Sequence, residues 1–125
     1  IRKSVGCEHT LDRDITASSS VIIELYHVAT ELIGRLKRSG FRGNTLTLKI
    51  KFYDFKQITR SITQEKELNE MKDILPLAKQ LLKEVDYSIR PIRLIGLTVS
   101  HPKEEHEEHN EWKQLELEFA KLSEI

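Results

Sequence analysis

One cysteine, Cys7, is all that the 125 residues contain. A single copy therefore has no disulfide framework and no cysteine-based zinc site. No apolar run approaches the roughly 18 residues that a bilayer crossing requires, and no signal peptide opens the sequence. Secretion and membrane insertion find no support, and the expectation is a cytoplasmic protein with no membrane partner. Because it opens on Ile1 rather than Met, the chain reads as a fragment or a processed product. Net charge is also missing, since 20 Lys and Arg face 20 Asp and Glu. What is present, 38% hydrophobic and 32% charged residues, suits one globular domain with some extra charged chain. This length can bury one core without a disulfide or a structural metal.

The neutrality is a sum of two opposed segments. Residues 1–100 hold 17 Lys/Arg against 12 Asp/Glu, whereas residues 101–125 hold 3 Lys against 8 Glu. An excess of five positive charges thus precedes an excess of five negative ones, an asymmetry that bears on partners. The boundary falls near His101-Pro102. Residues 103–110, KEEHEEHN, are too polar to bury anything and read as an extended linker. The expected organisation is a folded unit over 1–102 and an acidic linker with a terminal peptide over 103–125.

Within the folded unit, periodicity and chain breakers predict six elements. Residues 3–11 form a strand with Val5, Cys7 and Leu11 on one side. Ser18 to Arg38 form a helix, its serines supplying an N-cap and Gly40 lying just past its end. The helix carries Ile22, Leu25, Ala29, Leu32 and Leu36 as one apolar stripe. Leu46 to Phe55 alternate as a second strand, turning near Asp54-Phe55-Lys56 into a third over Gln57 to Gln64. A second helix runs from about Asp73 to Val85, with Pro76 tolerated in its first turn. Residues 92–100 make the last strand, with Ile95, Leu97 and Val99 aligned. The order β-α-β-β-α-β implies an α+β fold: a four-stranded antiparallel sheet with two helices on one face, ferredoxin-like.

The uncovered face then decides the chemistry. Strand parity assigns to it Ser4, Gly6, Glu8 and Thr10; Thr47, Lys49, Lys51 and Tyr53; Gln57, Thr59, Ser61 and Thr63; and Leu94, Gly96, Thr98 and Ser100. Hydroxyls, close backbone amides and lysines bind phosphates and sugars without reading sequence, although Thr and Ser are also ordinary residues of a solvated strand. Arg60, Arg90 and Arg93 fall at strand flanks or edges, from which long side chains can reach round. RNA-recognition modules share this topology but stack bases on aromatics of the first and third strands. Neither strand has an aromatic here, so backbone binding fits better than base stacking.

No nucleophile elbow, P-loop or HExxH motif occurs. Asp12, Asp14 and Asp54 could pair as metal-binding carboxylates, but they sit where Asp is a common turn residue. His101, His106 and His109, interleaved with Glu, read as a solvated linker rather than a metal site. Cys7 reads as a small buried hydrophobe and His9 as a satisfied strand-end histidine. In the tail, Leu115, Leu117 and Phe119 would share one side of an extended peptide suited to a hydrophobic groove. Alternatively, Trp112, Leu115, Phe119 and Leu122 would line one face of an amphipathic helix. Both readings require a docking surface.

Taken together, RKSVGCEHTL, LTLKIKFYDFKQITRSIT and IRLIGLTVS resemble, in order and spacing, the entry strand, central hairpin and last strand of one family. That family is the little-finger (polymerase-associated) domain of Y-family DNA polymerases, and the closest likeness is to its bacterial members. The likeness covers about residues 2–102. It implies a domain that lies in the major groove of primer–template DNA and grips both backbones. The implied contacts are Lys3, Ser4, Gly6, Thr10, Lys49, Lys51, Thr59, Arg60, Ser61, Thr63, Arg93 and Thr98, with the Glu8 backbone amide. Some relatives carry Arg where this chain has Thr98, which supplies a hydroxyl instead. QLELEF, through Gln114, Leu115, Leu117 and Phe119, resembles the bacterial sliding-clamp-binding motif QL-x-L-x-[LF]. The resemblance further implies a parent enzyme with palm, fingers and thumb domains and a Mg²⁺-dependent palm. The fragment itself would hold no cofactor and catalyse nothing.

Overall fold

The computed structural model describes residues 4–101. Its elements follow the expected order: β1 (Ser4–Ile15), α1 (Ser18–Ser39), β2 (Thr45–Phe52), β3 (Gln57–Thr63), α2 (Met71–Leu82) and β4 (Ile92–Ser100). The strands form one antiparallel sheet in the order β1-β4-β2-β3. Each helix connects two parallel strands with a third strand inserted between them, β4 between β1 and β2, and β2 between β3 and β4. β1 and β3 are therefore the edges. No helix among the described residues is long and apolar enough to cross a membrane.

β2 alternates as its sequence dictates: Leu46, Leu48, Ile50 and Phe52 are buried, and Thr45, Thr47, Lys49 and Lys51 are half-buried. They pack with Ile95, Leu97 and Val99 of β4 and Val5 and Cys7 of β1 beneath α1 and α2. α1 contributes Leu25, Ala29, Leu32 and Leu36, as its stripe predicts, together with Val21 and Val28, while Ile22 lies at the margin. Full burial of each Leu or Ile contributes about 1.5–3 kcal/mol, so this single layer is the main source of stability.

Several local expectations are corrected. The serines do not cap α1. The helix starts at Ser18 as expected, but its N-cap is Ala17, whose carbonyl takes the Val21 N–H at 3.0 Å. This places Ser18 to Ser20 inside the first turn, where a hydroxyl no longer stands in the capping position. α2 starts at Met71 rather than Asp73, because Asp73 reaches back to accept the Glu70 N–H at 3.3 Å. Pro76 thus lies beyond the first turn and removes a bond to the carbonyl of Lys72, an exposed residue. β1 extends four residues past Leu11. In β4 the alternation breaks: Leu94 pairs with Lys51 but Ile92 pairs with Phe52, so Arg93 is an extra residue. This bulge sends Ile92 into the core, fully buried, where strict alternation would have placed it on the open face.

Two glycines are fixed by geometry. Gly40 ends α1 at φ 68°, its N–H bonded to the Leu36 carbonyl, a left-handed cap that side chains resist. Gly43 crosses the end of β4 so closely that a Cβ would stand 2.5 Å from the Ser100 carbonyl oxygen.

On the covered side of β1, Cys7 and His9 meet Glu31 of α1. His9 Nε2 is hydrogen-bonded to Glu31 Oε2, and Arg35 Nη2 donates to Glu31 Oε1 at 3.1 Å. Hydrogen bonds from Cys7, then His9 and Arg35, hold the Glu31 carboxyl down at about 2. Burial first, and then the hydrogen bond to Glu31 and its charge, push the Cys7 thiol up to about 12 from 9.0. The unfolded chain loses that proton first, so this contribution to stability falls as pH rises above about 9.

Two outcomes follow from this packing. Gly43→Ala should destabilise the fold by about 1–3 kcal/mol, as overpacking against backbone does, read as a lowered denaturant midpoint; an unchanged midpoint would mean the crossing is looser than described. In metal-free buffer near neutral pH, Cys7 should resist a thiol-labelling reagent until denaturant is added. Rapid labelling of the native chain would contradict its burial.

Candidate nucleic-acid interface

Strand register sorts the uncovered face into four rows that cross the sheet from β1 to β3. They read Ser4-Ser100-Thr45-Thr63, Gly6-Thr98-Thr47-Ser61, Glu8-Gly96-Lys49-Thr59 and Thr10-Leu94-Lys51-Gln57. One end is a field of hydroxyls. Thr45 Oγ1 and Thr63 Oγ1 are 2.8 Å apart, and Thr47 Oγ1 and Ser61 Oγ are 2.7 Å apart. The other end holds the charges. Because Gly96 has no side chain, Lys49 reaches across β4 and bonds Glu8 Oε2 at 3.1 Å. Lys49 is thus partly neutralised, and among the described residues Lys51 is the cation of this face with no ion pair. The glycines also leave a shallow hollow of about 350 Å³, lined by Gly6, Gly96, Thr98, Glu8, Lys49 and, from α1, Arg35.

The two edges repeat one arrangement. In an antiparallel strand the N–H and C=O of a residue point to the same side. The Gly6 carbonyl accepts from Arg35 Nη1 at 2.8 Å, so Gly6 faces outward from β1. Every second residue shares that direction, namely Ser4, Glu8 and Thr10. On β3, the Gln64 N–H bonds the Asn44 carbonyl at 2.8 Å, and the Thr59 carbonyl accepts from Arg60 Nη1, also at 2.8 Å. Thr59, Ser61 and Thr63 therefore face outward there. Both edges present backbone amides from the residues whose side chains lie on the open face, and on both an arginine is anchored to an outward carbonyl. Edge amides of this kind are unsatisfied donors, and donors flanked by arginine suit phosphate oxygens.

Most of the sequence candidates are brought together here: Ser4, Gly6, Thr10, Lys49, Lys51, Thr59, Ser61, Thr63 and Thr98 share the face. Arg60 does not. Its register partner is Leu48, which directs it to the helix side, and it reaches the edge only through its length. Arg93, the bulge residue, is bidentate to Asp14 at 3.2 and 3.4 Å, with its guanidinium 4.7 Å from the Phe55 ring. Tyr53 lies past the end of β2 in the turn. Lys3, Gln114, Leu115, Leu117 and Phe119 lie outside the described residues. Sequence reasoning passed over Thr45, one residue before the assigned strand, and Arg35. The signal for Arg35 was available, since it stands one turn after Glu31 near the C-terminus of α1, but only the fold brings it to the edge of β1.

Two of the three carboxylates considered for a metal face arginines. Asp14 is bonded to Arg93, and Asp54 lies 3.9 Å from Arg90. Among the described residues, the group of three or more metal-type donors is Cys7, His9 and Glu31, on the opposite side of β1 from this face.

Comparison with known proteins assigns the fold to a family. The model of the impB/mucB/samB family C-terminal domain matches residues 2–117. A DNA polymerase IV of Bacteroides fragilis is 69% identical over 121 residues, covering 96% of this chain and 33% of the relative. One from Akkermansia muciniphila is 52% identical over 119 residues, covering 95% and 33%. The chain thus spans about a third of the length of these curated relatives. Among solved structures, the little-finger domain of DNA polymerase IV, determined with the beta-clamp processivity factor, superposes with a TM-score of 0.65 at 26% identity, over 78% of this chain and 87% of that one. A Y-family DNA polymerase chimera has the same fold, with a TM-score of 0.67 at 18% identity over 80% of this chain and 28% of its own. The chain belongs to the impB/mucB/samB family C-terminal domain, the little-finger domain of Y-family DNA polymerases.

Proposed function

We propose that this domain grips the backbone of primer–template DNA for an error-prone translesion polymerase, without reading sequence, and that its tail tethers the enzyme to a sliding clamp. The observation that carries the first part is the pair of matched edges. Neighbouring strands lie about 4.8 Å apart, so β1 and β3 stand about 14 Å from each other across the sheet. The major groove of B-DNA is about 12 Å wide. A sheet laid along that groove would set one edge against each phosphate wall, with Gly6 and Glu8 amides and Arg35 on one side and Thr59, Ser61 and Thr63 with Arg60 on the other. The hydroxyl rows between them offer donors to either backbone. Nothing on the face discriminates bases, as suits an enzyme that must pass over damaged template.

Nucleotidyl transfer belongs, in this reading, to a palm domain of the parent chain whose carboxylates hold Mg²⁺. Of the carboxylates described here, Asp14 and Asp54 are paired with arginines. For the tail, support comes from the match of Gln114, Leu115, Leu117 and Phe119 to the clamp-binding pattern, and from the clamp complex of the 26% identical little-finger domain.

Titration of a fluorescent primer–template duplex at several salt concentrations tests the first part. With about 4–6 phosphates contacted, log affinity against log salt should slope about −4 to −5. Lys51→Ala and Arg60→Ala should each flatten the slope by about 1. Absence of binding at low salt, or a strong preference for single-stranded RNA, would overturn the assignment. Phe119→Ala should weaken clamp binding by about 2 kcal/mol or more, as loss of an interface anchor does. An affinity equal to the unmodified chain would remove the clamp role from QLELEF.

A further inference from the structure

The covered side of β1 carries a donor cluster that the open face does not use. We propose that Cys7, His9 and Glu31 form a binding site for a divalent cation of the zinc class, one that pins β1 to α1. Cys7 and His9 stand two residues apart on β1, so both side chains leave the same face of the strand, and Glu31 comes down on them from α1. The thiol sulfur, an imidazole nitrogen and a carboxylate oxygen all lie within 4.8 Å of one another. Tetrahedral zinc with bonds of about 2.0–2.3 Å needs its donors about 3.3–3.8 Å apart, so a set lying within 4.8 Å has to draw together by about 1–1.5 Å at most. The cysteine count excludes sites built from several thiolates, but not this mixed set.

The surroundings suit the ion. A thiolate and a carboxylate supply two negative charges to a dication, imidazole is the neutral third donor, and water can take the fourth position. Arg35 holds the remaining Glu31 oxygen at 3.1 Å and so fixes the carboxylate from outside, as outer partners of metal ligands do. His9 Nε2 already bonds Glu31 Oε2, and the cation would enter between them. Access comes from the surface, where the His9 side chain is 32% exposed beside a hollow of about 650 Å³ that Leu11, Ile23 and Glu24 also line. Loading breaks the Cys7 S–H bond, the proton passes to solvent and the sulfur lone pair forms the metal bond; no electrons are transferred to an acceptor. Sulfur and nitrogen donors favour zinc or cobalt over magnesium or calcium. The site lies behind β1 and leaves the edge amides free; Arg35, bonded to both Glu31 and the Gly6 carbonyl, is the residue it shares with the open-face edge.

Cobalt(II) titration of the chain tests the site, because Cys7 is the only thiol present and any thiolate-to-cobalt charge-transfer band reports on it alone. The expected result is a saturable one-to-one band with tetrahedral visible absorption, bleached by one equivalent of zinc and untouched by excess magnesium. Cys7→Ser should abolish the band. Glu31→Gln and His9→Gln, at partly exposed positions where circular dichroism should report an intact fold, should each weaken apparent affinity tenfold or more. Cobalt binding with no thiolate band, as the histidines and glutamates of 101–125 would give, overturns the proposal. So does a band that Glu31→Gln and His9→Gln leave unchanged.

Discussion

Everything in this domain depends on the register of β4. It is the last of the described strands, yet it lies inside the sheet, with β1 on one side and β2 on the other. Until it inserts, β1 has no strand partner, and the sheet is only the β2-β3 hairpin. A slip of one residue would turn Ile95, Leu97 and Val99 to solvent and Thr98 into the core. That cost, several fully buried side chains at about 1.5–3 kcal/mol each, is what specifies the alignment. The same alignment sets Gly96 between Glu8 and Lys49 and stacks Gly6, Thr98, Thr47 and Ser61 into one row.

Burial on one face therefore dictates the composition of the other. Each apolar residue turned toward the helices leaves its neighbour on the open side, and those neighbours are mostly small hydroxyl or glycine residues. Since β1 and β3 are the outermost strands, the residues with free amides are also residues of that face. Side-chain and main-chain donors thus converge on two parallel lines. The bulge at Arg93 closes the arrangement at one end, where it diverts an arginine into an ion pair with Asp14 and recovers Ile92 for the core.

The sequence shows the elements and the face more clearly than the details that finish them. The alternation of Leu46, Leu48, Ile50 and Phe52 and the stripe from Leu25 to Leu36 are strictly periodic, because each side chain is sorted by water alone, and both recur in the structure, the stripe widened by Val21 and Val28. The turn at Asp54-Phe55-Lys56 and the left-handed cap at Gly40 were legible for the same local reason. The bulge was not, since an extra residue in β4 depends on what β1 and β2 place opposite it. Nor was the arrival of Arg35 at Gly6 from an element far along the chain. The pairing of Lys49 with Glu8 requires knowing that Gly96 lies between them. The cluster of Cys7, His9 and Glu31 joins two elements whose separation in sequence hides it.

The central claim is that two outward-facing strand edges, rather than the helices or the sheet centre alone, hold the duplex. Following backbone amide resonances during titration with primer–template DNA tests it most directly. The account predicts that Gly6 and Glu8 on β1 and Thr59, Ser61 and Thr63 on β3 shift together, saturating at one duplex per domain, while Lys79 and Lys83 of the α2 region stay in place. Perturbations confined to a single edge, or centred on the helices, would contradict it.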